Sequence, residues 1–70
     1  MLSPHQERVV IEKHELDRKR RALAHFIERS EVFAKLPKDE QKRLEQQRKA
    51  MQEYSDVLGV RIAHFSDKEA

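Results

Sequence analysis

Apolar residues recur at intervals of seven in two long stretches of the chain: Val9, Leu16 and Leu23 in the first, and Leu44, Met51, Leu58 and Phe65 in the second. Seven residues make two turns of α-helix, so each set forms one stripe of the kind that a partner helix covers. Ile27 lies one turn beyond Leu23, Tyr54 and Ile62 widen the second stripe, and Val10, Ile11, Ala24 and Phe26 flank the first. The intervening positions are mostly charged or polar. This pattern predicts two amphipathic helices and no strand.

Ser3-Pro4-His5-Gln6 supplies an N-cap, a proline at the first helical position and a glutamine placed to reach back to the cap. The first helix should therefore begin at Pro4, and it ends near Ser30. Pro37 has no backbone N–H and disfavours helix in the residue before it, so a second helix begins near Lys38. Asp39 and Glu40 fall in its first turn, where carboxylates meet exposed N–H groups. Between the breaks, Glu31 to Leu36 fits a short helical turn that lays Val32, Phe33 and Leu36 over the bend as an apolar lid. The second helix extends to about Phe65, which makes the two helices equal in length. The expected fold is all-α, an antiparallel helical hairpin over residues 1–65, followed by a short polar tail over residues 66–70 that frays.

The stripes are interrupted. Lys13 and Arg20 stand where aliphatic residues would complete the first one. If Ser30 faces Lys38 across the bend, Arg20 lies level with Arg48, with Gln47 and Tyr54 beside them on the second helix and Lys13 on the first. A cationic layer in a seam must be exposed, paired with Asp17, Glu45 or Gln52, or occupied by an anion. The last option makes Arg20, Arg48, Tyr54, Gln47 and Lys13 a candidate ligand site between hairpins, with arginines clamping a phosphate and Tyr54 stacking on a base. A further apolar strip, Val57, Val60 and Ala63 with Gly59 and Phe65 beside it, has no use in a single hairpin and predicts a contact between subunits. Gly59 weakens a helix interior by about 1 kcal/mol relative to alanine, so it marks either close backbone approach or a tolerated weakness. Two helices in 70 residues cannot enclose a core of their own, so oligomerisation into a helical bundle is expected.

Composition narrows the function classes. Charged residues make up 40% of the chain, yet acids and bases interleave to a net charge of only +2, which disfavours a nucleic-acid module of the ordinary basic kind. Arg18-Lys19-Arg20-Arg21 is the one dense basic run, and on a helix its members point to all sides. With no cysteine there is no disulfide and no thiolate metal site. His5, His14, His25 and His64 lack the spacing of three or four that puts two ligands on one helix face, although the hairpin brings His5 and His64 to the same open end. No glycine-rich phosphate loop and no nucleophile with a base and an acid in context are present, so neither catalysis nor a cofactor is expected. No apolar run reaches membrane-spanning length and no signal-peptide core is present, which gives a cytoplasmic reading.

The order of residues adds to this. His5-Gln6-Glu7-Arg8-Val9-Val10, Glu15-Leu16-Asp17, Phe26-Ile27, Phe33, Leu36-Pro37, Glu40-Gln41, Leu44, Gln47, Met51, Tyr54-Ser55, Leu58 and Arg61-Ile62 resemble a family of very small bacteriophage proteins first grouped through crAss-like phages. The resemblance covers nearly the whole chain. It implies a phage accessory protein, of the kind that often inhibits host defence. The first function hypothesis is counter-defence by stoichiometric binding in the host cytoplasm, either to a host defence protein or, as a homo-oligomer, to a nucleotide signal. A nucleic-acid-associated regulator using Arg18 to Arg21 and a structural or assembly subunit are the alternatives.

Overall fold

The computed structural model describes residues 2–65 of the chain. Three helices follow one another: α1 over Pro4–Arg29, α2 over Glu31–Lys35 and α3 over Lys38–Ala63. The two long helices have 26 residues each and pack against one another along a rod 51 Å long. The fold is thus all-helical, with two long helices joined by a short one. The expected tail lies outside the described residues.

Local chemistry sets the boundaries. At the start of α1, the Ser3 hydroxyl accepts from the Gln6 backbone N–H at 3.2 Å, and the Ser3 N–H donates to the Gln6 side-chain oxygen at 2.9 Å. This reciprocal box satisfies donors that a helix start leaves open. Ser30 ends α1 in an extended conformation and caps α2, accepting from the Val32 N–H at 3.0 Å. Pro37 precedes α3 with no side-chain cap, while Asp39 and Glu40 occupy the first turn.

The bend is held by a residue whose part the hydrophobic pattern does not reveal. The Gln41 amide nitrogen lies 3.0, 3.3 and 3.1 Å from the carbonyl oxygens of Phe33, Ala34 and Leu36, the exposed C-terminal acceptors of α2. Phe33 packs edge-on against Phe26, with ring centroids 5.9 Å apart. Phe33 and Leu36 are half-buried as the lid requires, but Val32 is 61% exposed and takes no part in it. A five-residue helix shows only some of its faces to the hairpin, and Val32 falls on another.

The seam follows the seven-residue stripes. Val9 and Leu58 are buried, and Leu16, Leu23, Ile27, Leu44, Met51 and Ile62 are half-buried. Two polar side chains join them: Ser55, and Gln6, whose amide donates to the Phe65 carbonyl at 3.4 Å and ties the open end. Gly59 belongs to this seam as well. A Cβ added there would meet Lys13 Cε at 3.5 Å, an ordinary contact, so the expected crowding of backbones is absent. Gly59→Ala should therefore stabilise the hairpin by about 0.5–1 kcal/mol, through helix propensity and a less flexible unfolded chain. A urea titration followed by circular dichroism would show the midpoint rise, and a fall would mean that the Lys13 chain cannot yield.

Candidate functional site

Mid-seam, a polar cluster replaces aliphatic packing. Lys13 Nζ donates to Asp17 Oδ2 at 2.8 Å and to Ser55 Oγ at 2.9 Å, and the Ser55 hydroxyl donates to Asp17 Oδ1 at 2.6 Å. Arg20 Nε reaches the same Asp17 oxygen at 3.3 Å, while its Nη1 donates to Gln52 Oε1 at 3.1 Å. Gln52 in turn donates to Asp56 Oδ1 at 3.0 Å. The hydrogen bond from Lys13, then that from Ser55, hold the Asp17 carboxyl far below the usual carboxylate range. Partial burial opposes this and Arg20 adds to it. Among the described residues, no buried side-chain polar atom lacks a partner.

Beside this cluster the surface is concave. Arg20, Ala24, Glu45, Arg48, Lys49 and Gln52 line a groove of about 430 Å³ between α1 and α3. Arg20 and Arg48 thus line one groove, and each has an acceptor of its own. Arg20 reaches Gln52, and Arg48 Nη2 donates to Glu28 Oε2 at 2.8 Å. Two guanidinium groups side by side in a seam repel one another, and separate acceptors relieve this. The pairing of Arg20 is with Asp17 and Gln52, two of the three partners its position allows, whereas Glu28 had no signal beyond its exposure near the end of α1.

The other candidate residues lie elsewhere. Lys13 is committed to Asp17 and Ser55. Gln47 and Tyr54 are exposed and are not among the groove's lining residues. At about 100° per residue they fall on the flank of α3 opposite to Gln52 and Lys49. Of the candidate interface residues, Val57, Val60 and Ala63 are exposed, whereas Gly59 faces Lys13 and the Phe65 carbonyl is tied to Gln6. Ser55 was legible only as a small polar residue inside a seam, between Met51 and Leu58. Arg18, Lys19 and Arg21 are exposed and Arg20 turns inward, so the basic run does not form one patch.

A family model, Sequestin, matches residues 3–64, which takes in both long helices and every residue of the groove. The chain belongs to the Sequestin family. The family name points to a sequestering, non-catalytic binding function. No curated protein and no solved structure matches the chain. Within the described residues of this Sequestin chain, no group of three or more His, Asp or Glu side chains is placed to hold a metal ion, and no helix is long and apolar enough to cross a membrane.

Proposed function

We propose that the protein is a phage counter-defence factor that captures a phosphate-bearing nucleotide signal in the host cytoplasm, using the groove between Arg20 and Arg48. The observation that carries this reading is the placement of two guanidinium groups and Lys49 around one concave surface, with Glu45 the only acid among its lining residues. Guanidinium groups present planar, paired donors that match phosphate oxygens, and each keeps donors beyond those used within the hairpin. The Glu28–Arg48 pair is exposed on both sides, so it is worth at most about 1 kcal/mol and exchanges readily for a phosphate. Sequestration requires only tight stoichiometric binding, which agrees with the family name.

The test is titration calorimetry with cyclic dinucleotides and ADP-ribose-type signals, followed by mass spectrometry of ligand retained on the purified protein. Arg20→Leu and Arg48→Gln should each weaken capture about tenfold or more, the equivalent of about 1.4 kcal/mol. Arg20→Leu should leave the hairpin folded, because Lys13 and Ser55 still hold Asp17 and an aliphatic residue completes the stripe. Neither heat nor retained ligand with any of these compounds would remove the nucleotide reading. A host defence protein gripped by the exposed helix faces would then be the target.

A further inference from the structure

The hairpin leaves a second stripe uncovered on α3. Ala50, Val57 and His64 recur every seven residues, with Glu53 and Val60 three residues after the first two, and Tyr54 and Arg61 along one edge. Val57 and Val60 are 56% and 58% exposed. Glu53 and Arg61 are exposed and form no ion pair among the described residues. Val9 and Leu58 are the only buried hydrophobic residues among those described, little burial for a chain of this length.

We propose that this stripe is covered by the same stripe of a second copy, packed antiparallel about a two-fold axis that passes between the levels of Val57 and Val60. Two-fold symmetry makes every contact occur twice. In this register Val57 packs on the partner's Val60 and Val60 on the partner's Val57, which forms an apolar centre. Glu53 meets the partner's His64 on either side of it. The Tyr54 ring lies along the guanidinium of the partner's Arg61, an arrangement that the negative face of the ring favours. A parallel pairing would instead set Glu53 against the partner's Glu53 at the same level and lose these contacts. The stripe is its own complement only when reversed, which is why its occupant is this chain and not an unrelated protein. The inference does not depend on what the groove binds.

The chain has no cysteine, so single introduced thiols report proximity without interference. Mixed in equal amounts and oxidised, Val57→Cys and Val60→Cys chains should cross-link several-fold faster than Ile11→Cys chains, Ile11 being exposed on α1. Sedimentation of the wild type at micromolar concentration should give about twice 8.4 kDa or a multiple of that. Val57→Glu should reduce the mass, and Val60→Lys added to the same chain should restore it, because the new charges face each other across the axis. A folded wild type of single-chain mass would overturn the proposal. So would cross-linking no faster than that of Ile11→Cys, or a Val57→Glu chain with the wild-type mass. Should Val57→Glu fail to fold, the cross-linking comparison still decides.

Discussion

Leu58→Ala is expected to cost about 2–5 kcal/mol, the range for truncating a buried leucine. Leu58 is 0% exposed, and among the described residues it is the only fully buried large side chain. Its neighbours on α3 are less buried, so little else can take over its role. Small domains are stable by roughly 0.05–0.15 kcal/mol per residue, which for 70 residues is a total of the same order as the expected loss. Much of the helical signal at 25 °C should therefore vanish, or persist only at high protein concentration. Circular dichroism across a denaturant series measures this. A variant that unfolds within about 1 kcal/mol of the wild type would mean that packing along the seam is looser than Leu58 implies.

Asp17→Asn should have the largest effect of any single polar substitution, with a particular dependence on pH. Its carboxylate answers Lys13, Ser55 and Arg20 together. The amide leaves two half-buried cations without their countercharge. Because the folded-state pKa of Asp17 lies below that of an ordinary carboxylate, the unfolded chain takes up its proton first as pH falls. The contribution of Asp17 is therefore fully present above about pH 5 and declines as pH falls through about 4 towards the folded value. The other acids also affect stability in this range, so the informative quantity is the gap between wild type and variant. That gap should be widest at neutral pH and narrow steadily in acid. A gap independent of pH would show that Asp17 acts by shape and not by charge.

The helices were legible because each signal acts locally: Ser3, Pro4 and Gln6 close a box within one turn, Pro37 breaks the chain where it stands, and apolar residues every seven positions select one face. The hairpin follows from these alone. The site was less legible, since it depends on which acceptor each long side chain takes. Lys13 meets Ser55 in the register that Ser30 facing Lys38 implies, yet the long Arg20 side chain reaches past Arg48 to Gln52, and only side-chain geometry shows which acceptor it takes. Tyr54 is not among the groove's lining residues, and closeness in number to Gln52 and Ser55 says nothing about which flank of α3 a side chain occupies. Gln41 was invisible as a clasp because its acceptors are backbone carbonyls, which no residue type advertises.

The best-buried residues, Gln6, Val9, Ser55 and Leu58, all lie towards the open end of the hairpin, far from the bend. Their cross-helix hydrogen bonds join residues 38, 42 and 59 apart in the chain, so entropy must be lost in bringing the arms together before the strongest packing rewards it. Zippering from the bend is thus an uphill climb through half-buried contacts to a late gain. This chain should fold more slowly than its helix content implies, and substitutions near Leu58 should act chiefly by hastening unfolding.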